Sequence, residues 1–461
     1  MKSKQGGIKL FSRDVDMLDG PIVPSMIKFA IPLILTNILS TLYHTADILV
    51  VGNFAGKSAL AAVGATSSII SLLVNVFVNI SVGFGIILAR ALGAKDEKRT
   101  KSVISTAYTF SLILGVFLAL FLVVMARPML VLTDCPDNVM GGALTYMRIY
   151  ALGVPAMLFY NFMSGVIRIS GDSRRPFIYM AISGAVNILL NLTLVILTGE
   201  AIISVAVGTV VSVYTSALLL LVRLMRLDGA KKLIPWHFSI DKDDLFKIIR
   251  LGVPAAISGA TFALTSVLIQ SAVNTYGDVG MSGNTASATL EGFINPVSMS
   301  AVAVVTAFMG QNMGAGNRER VLKIRKCAYA LFGLTTAVIS IVCYIFGRQL
   351  FSLIIPGEAE AIEFAMTRFF FVAMAMLMHG FLTVNNGSLQ AFGYTMFQML
   401  VNLIGTCGFR IAWMWFIYPL NPTPQNLYSC FPVSYVLVLA LGLAANFYLV
   451  KKYKKGETFE I

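Results

Sequence analysis

The stretch Ser111-Leu-Ile-Leu-Gly-Val-Phe-Leu-Ala-Leu-Phe-Leu-Val-Val-Met125 carries no charge and, after its first serine, no hydrogen-bonding side chain. With its flanks it forms an apolar run over 103–126, and a membrane-crossing helix needs roughly 20 such residues. A transmembrane β-barrel is built instead from alternating segments of roughly ten residues, so this unbroken run predicts a helix. The rest of the chain agrees. Of its 461 residues, 57% are apolar and 12% charged, with a mean hydropathy of +0.80. Ordinary soluble domains are about 45 to 50% apolar and about 25% charged. The composition therefore excludes a soluble protein, and the surplus of apolar residues is too large for one or two anchors.

Reading outward from that run, similar stretches fall near 24–50, 58–89, 142–167, 177–198, 201–225, 248–276, 281–310, 327–349, 361–387, 397–420 and 429–450. The expectation is an all-α integral membrane protein with twelve transmembrane helices. Charge tests that count, because Lys and Arg gather in the cytoplasmic loops of membrane proteins. If the amino terminus faces the cytoplasm, all of the 35 basic residues lie on that side except Lys57, Arg127, Arg148, Arg348 and Arg368 on the other, and Arg410 inside a span. Both termini are then expected in the cytoplasm, with the chain in the cell inner (plasma) membrane. The net charge of +13 reads as topology, not as a nucleic-acid footprint.

Two halves repeat at an offset close to 222. Lys28-Phe-Ala-Ile-Pro32 returns as Arg250-Leu-Gly-Val-Pro254, and Gly93-Ala-Lys-Asp-Glu-Lys-Arg99 as Gly314-Ala-Gly-Asn-Arg-Glu-Arg320. Arg148, Gly165 and Gly171 find echoes in Arg368, Gly387 and Gly393. Six spans per half place both halves in the same orientation, related by an axis along the membrane normal. The expected organisation is two pseudo-symmetric six-helix bundles: an amino-terminal lobe over 1–226, a cytoplasmic linker over 227–247 and a carboxy-terminal lobe over 248–461. The cleft between the lobes is the natural site.

Charged groups inside a span cost at least ~2.5 to 3.5 kcal/mol on insertion scales and mark function. Of 22 acids, only Asp47 and Glu291 fall within spans and beyond the first few residues of a span. Asp47 completes a helical stripe with Asn37, Ser40 and His44. Further polar stripes are Ser68, Ser71, Asn75 and Asn79; Asn187 and Asn191; Thr209, Ser212 and Ser216; Ser266, Gln270 and Asn274; and Asn284, Ser287, Glu291 and Asn295. Such stripes either line a hydrated interior or bond helix to helix. Glu291 has a candidate partner in Arg410. Pro32 and Pro254, at equivalent places in the two halves, each free a carbonyl and are candidate flexing points. Gly52-Asn-Phe-Ala-Gly56-Lys57-Ser58 lacks the spacing and the strand-to-helix setting of a phosphate loop. The cysteines, five in number, are scattered and read as packing residues. No catalytic or metal-binding motif is present, so no enzyme and no cofactor is expected, and active transport would draw on an ion gradient.

The residues resemble a known family, the MATE (multidrug and toxic compound extrusion) transporters of bacteria, within a larger superfamily that includes lipid-linked oligosaccharide flippases. The resemblance spans the chain from Gly20-Pro21 to the basic tail. It is carried by the Pro32 helix ending in Tyr43-His-Thr-Ala-Asp47-Ile-Leu-Val-Val-Gly52, by Ala59-Leu-Ala-Ala-Val63 and by Gly310-Gln-Asn-Met-Gly-Ala-Gly-Asn317. It implies a V-shaped pair of lobes alternating access to a central cavity, and expulsion of amphipathic, often cationic compounds in exchange for H+ or Na+. It also implies a cation-coupling site at Asp47, Asn187, Asn191 and Thr209. Many relatives carry a second aspartate where this chain has Asn191, and the second-half acids of another branch are absent, with Phe262 near one of their positions.

A lone carboxylate among apolar helices can take up a proton, and with two amide oxygens and a hydroxyl it offers the hard ligands that suit Na+. Both ions stay open on this reading. Asn37, His44, Asn75, Gln270, Glu291 and Arg410 are expected at a substrate cavity, and Met374, Met376 and Met378 suit a forgiving one. The expected partners are a small-molecule substrate and membrane lipid. A flippase for a lipid-linked saccharide is the alternative within the superfamily, and a channel using the polar stripes as a static pore is the alternative outside it.

Overall fold

The computed structural model describes residues 15–54, 56–133, 135–457 and Phe459. Within its helices the side chains at 44–46, 48, 49, 53, 57–61, 65, 67, 68, 71, 72, 75, 262–264 and 267 are outside the described set. The expectations placed on the side chains of His44, Lys57, Ser68, Ser71, Asn75 and Phe262 therefore lie outside the described residues.

Every regular element among the described residues is helical. In chain order the α-helices are α1 (Ile22–Phe54), α2 (Gly56–Gly93), α3 (Glu97–Leu132), α4 (Asp137–Ala151), α5 (Val154–Ile169), α6 (Arg174–Thr198), α7 (Ala201–Met225) and α8 (Lys242–Asn274). They continue with α9 (Gly277–Gly314), α10 (Arg318–Ala328), α11 (Leu334–Ile345), α12 (Gly347–Ile354), α13 (Ala359–Phe392), α14 (Thr395–Asn402), α15 (Phe409–Ala412) and α16 (Pro424–Lys454). Among the described residues ten helices are long and apolar enough to cross a membrane, two of them the continuous stretches Arg318–Ile345, which contains α10 and α11, and Thr395–Leu420, which contains α14 and α15. Counting α4 and α5, bent by 43° at their junction, as one broken span makes eleven.

The run that decides the fold lies in α3, and its two faces have different neighbours. Leu118, Ala119 and Leu122 are buried against the protein, whereas Ile113, Val116, Phe117, Leu120 and Val124 are exposed. A water-soluble helix would place polar groups on that outer face; lipid asks for none, so the sequence shows no amphipathic period. The ends are where polar groups return. Asp96 caps α3 by accepting from the Arg99 backbone N–H at 2.9 Å. Asp241 caps α8 by accepting from the N–H groups of Asp243 and Asp244 at 3.0 Å each, and two acids in its first turn suit the positive end of the helix dipole. That helix begins at Lys242, inside the stretch expected to be linker. Before it, the segment lies along α3: Ser239 and Asp241 donate backbone N–H groups to Thr109 and Thr106 at 3.2 and 2.9 Å, and Phe238 stacks on Tyr108.

The repeat has a structural counterpart. Gly171 and Gly393, equivalent by sequence, both follow helix ends with left-handed φ of 104° and 89°. The recurring Gly-Ala motif explains itself where α2 meets α9. A Cβ on Gly93 would fall on the Gln311 carbonyl oxygen, and one on Gly314 would fall on that of Arg90. The two motif glycines thus let the ends of α2 and α9 cross backbone to backbone. Near the start of α8, Gly83 and Gly252 permit a similar approach between α2 and α8.

Arg368, expected at the non-cytoplasmic side, is not a solvent-exposed loop residue. It sits within α13, 6% exposed, because α13 packs most extensively of all on α9 and brings Arg368 against Glu291 of that helix.

Candidate functional site

Asp47 is on α1, Asn187 and Asn191 are one turn apart on α6, and Thr209 is on α7. These three helices pack together, so residues far apart in sequence form one cluster. Asn191 Nδ2 donates to Asp47 Oδ1 at 2.6 Å and lies 3.4 Å from Asn187 Oδ1. Thr209 Oγ1 is 3.4 Å from Asp47 Oδ2 and accepts from Asn187 Nδ2 at 3.3 Å. Asp47 is 8% exposed and Asn191 is wholly buried. The Asn191 Oδ1 atom has no hydrogen-bond partner among the described residues; it faces Gly208, where a Cβ would overlap it. The cluster offers one carboxylate and neutral oxygens. Among the described residues there is no group of three or more His, Cys, Asp or Glu side chains suited to a metal ion.

A cavity of about 650 Å³ opens elsewhere, between helices of the first and second parts of the chain. Its wall includes Asn79, Asn161 and Arg168 from α2 and α5, and Glu291, His379 and Arg410 from α9, α13 and α15. Gln390, Gln398 and Asn402 add a chain of amides: Gln390 Nε2 donates to Gln398 Oε1 at 3.1 Å, and Gln398 and Asn402 both donate to Ser258 Oγ, at 3.2 and 2.7 Å. A volume within the usual pocket range of roughly 300 to 1,000 Å³ suits a small organic molecule.

Of the residues expected at a cavity, Glu291 and Arg410 line it. Asn37 is on an exposed face of α1 and is not in its wall. Gln270 lies outside it too: its Nε2 donates to Asn274 Oδ1 at 2.9 Å and its Oε1 accepts from Asn284 at 3.0 Å, and Asn284 in turn accepts from Tyr428. That polar stripe bonds helix to helix. Met376 is buried in an apolar cluster and Met374 is exposed; none of the three methionines lines the cavity. The pairing of Glu291 with Arg410 is replaced by Glu291 with Arg368, at 2.8 Å. Arg368 reaches it across the α9–α13 contact, whereas Arg410 is turned to α16, where its Nε donates to Ser434 Oγ at 3.1 Å.

Sequence reading missed His379, 1% exposed and stacked on Tyr435 at 5.5 Å, and Arg168, which it assigned to a loop. A signal for His379 existed, since the chain has only three histidines and this one sits mid-span.

A family model described as MatE matches the chain twice, over residues 32–193 and 254–416. The chain belongs to the MATE family of transporters. The double match covers most of the chain and falls on either side of the segment between α7 and α8. Among curated relatives, the MATE chain is 27% identical over 394 residues to a probable multidrug resistance protein, YoeA, of Bacillus subtilis, covering 84% of this chain and 85% of that protein. It is 22% identical over 372 residues to the multidrug export protein MepA of Staphylococcus saprophyticus, covering 81% and 82%. Among solved structures, a MATE protein in the bent conformation matches with a TM-score of 0.89 at 19% identity, over 96% of this chain and 98% of that one. The MATE fold is thus common to them, and this chain is a multi-pass membrane protein.

Proposed function

We propose that this MATE transporter is a secondary active exporter of amphipathic drugs or metabolites, driven by exchange for H+ or Na+. Its relatives named as multidrug resistance and export proteins support the export reading. The observation that carries the coupling is the separation of two polar sites: a buried carboxylate cluster within α1, α6 and α7, and a cavity between the two parts of the chain whose wall does not include it.

The chemistry follows from the cluster. With the Asn191 amide donating to it, Asp47 is held as an ionised carboxylate without a cation, and the Thr209 oxygen lies 3.4 Å away while its hydroxyl hydrogen goes to the Val205 carbonyl at 2.8 Å. A proton arriving on Asp47 would turn an acceptor into a donor and break that pattern. Na+ would need Asn187, Asn191 and Thr209 to turn their oxygens inward, and Asn191 Oδ1 is already free to do so. Either event changes how α1 is held against α6 and α7, which is the differential interaction a ligand needs to shift a conformational equilibrium. Exchange follows if cation and substrate favour opposite states.

On this reading α8 is a further span, making twelve in two lobes of six over 1–226 and 248–461, joined by the 227–247 segment. Both termini face the cytoplasm, and the protein resides in the plasma membrane. The crossing of α2 with α9 at Gly93 and Gly314 is then the cytoplasmic closure. Purified protein in vesicles, given an imposed pH or Na+ gradient and a fluorescent amphiphile, tests the proposal. Gradient-dependent movement is expected; movement at the same rate without any gradient indicates a channel and overturns it.

A further inference from the structure

The cavity wall carries an uncompensated positive charge. Arg410 is 4% exposed and lines the cavity. Its guanidinium lies 4.2 Å from the Phe431 ring centroid and 5.5 Å from that of Tyr435, and its Nε is held by Ser434. Its Nη2 is buried with no hydrogen-bond partner, and no ion pair among the described residues includes it. The single carboxylate on the described wall, Glu291, is already held by Arg368, which also donates to Ser287 Oγ at 2.7 Å. Arg168 adds a second guanidinium to the wall, while Asp47 is not part of it.

A buried guanidinium without a counter-ion is expensive in a membrane interior, and the planar group is shaped to receive a carboxylate or phosphate through two parallel hydrogen bonds. Phe431, Tyr435 and His379 line the cavity beside it and give that part of the wall an aromatic border. We infer that this half of the cavity is a recognition site for an anionic head group on an apolar or aromatic body, with Arg410 as its counter-ion. The inference rests on the exporter reading for its place in a transport cycle. A wall of this charge favours amphipathic anions or zwitterions over the simple cations that the family resemblance implies. The head group can belong to a free carboxylate or to an anionic phospholipid, and the two are separable.

The test uses full-length protein in nanodiscs of phosphatidylcholine, in dilute buffer free of added carboxylate and halide. Tritiated naphthalene-2-acetate, 2-naphthaleneethanol and 2-naphthaleneethylamine share one ring system and differ in charge, and their binding is read by scintillation proximity. The carboxylate is expected to bind about tenfold tighter than the alcohol or the amine. Arg410→Met is expected to erase that preference while the alcohol still binds, and Arg410→Lys to keep part of it. Displacement of the carboxylate by phosphatidylglycerol supports the site and names lipid as its occupant. Tighter binding of the amine by the wild type overturns the inference. So does a carboxylate no tighter than the alcohol with displacement by chloride alone, which would mark a site for inorganic anions only. Gradient-driven efflux is measured separately. Efflux without any carboxylate preference removes this inference and leaves the exporter, and a preference without efflux does the reverse.

Discussion

Replacing Asp47 by Asn changes one charge and almost no volume, so it isolates what the carboxylate contributes. The side chain is buried and receives a hydrogen bond at 2.6 Å from Asn191, with the Thr209 hydroxyl oxygen 3.4 Å from its other oxygen. An amide keeps one acceptor oxygen for Asn191 and presents an NH2 to the Thr209 oxygen, whose own hydrogen goes to the Val205 carbonyl, so the hydrogen bond from Asn191 is kept but no longer reaches a charged group. Losing a hydrogen bond to a charged group costs about 1.5 to 3 kcal/mol, and removing a buried charge returns part of that. Folding and insertion should therefore survive, with a thermal midpoint in detergent within a few degrees of wild type. Coupling should not survive. Driving a two-state equilibrium from 1:99 to 99:1 requires about 5.5 kcal/mol of differential binding, and the described cluster has no second carboxylate to supply it. In vesicles with an imposed pH or Na+ gradient, Asp47→Asn is expected to lower dye export at least about a hundredfold. Export by this variant at the wild-type rate, under the same gradient, would refute the assignment of Asp47 as the coupling residue.

Gly208→Ala places a Cβ on Asn191 Oδ1 and should push the amide off Asp47. Transport should drop about tenfold for the loss of one charge-assisted hydrogen bond, and wild-type rates would show that Asn191 does not need its position. Glu291→Gln leaves Arg368 buried beside a neutral partner and should cost about 3 kcal/mol of stability, read as a fall in thermal midpoint. The double variant with Arg368→Met should recover most of that loss, and simple additivity would mean that the two residues do not interact. Gly93→Ala and Gly314→Ala each force apart the α2–α9 crossing, and overpacking of this kind costs about 1 to 3 kcal/mol. Both should therefore favour the state in which that crossing is open, seen as greater labelling of a cysteine introduced at Ala89; unchanged labelling would remove the crossing from the gating role.

Solvent and repetition are what the sequence determined alone. Ser111 to Met125 requires lipid because nothing in it can face water, and a helix is then the way its backbone groups find partners. The recurrence of the Gly93 motif at Gly314 announced two related halves, and Asp47 stood out because a carboxylate within an apolar span needs a reason. Asn187 and Asn191 were legible as one face of one helix, since a spacing of four is local geometry.

Whatever depended on which helix lies beside which was decided by the tertiary structure. Arg368 looked peripheral by its place in the chain and is buried by the α9–α13 contact, which takes Glu291 away from Arg410. That exchange leaves Arg410 alone on the cavity wall, and no periodicity within its own helix could have shown it. Gln270 and Glu291 belong to equally polar stripes, and each stripe is divided: Ser266, Glu291 and Asn295 reach the cavity, whereas Gln270, Asn274 and Asn284 bond to one another away from it. The difference lies in helix rotation and packing, set by close approaches such as Gly93 over Gln311. Sequence patterns report the preferences of each helix for its solvent; the partners of a buried charge are fixed only when the helices meet.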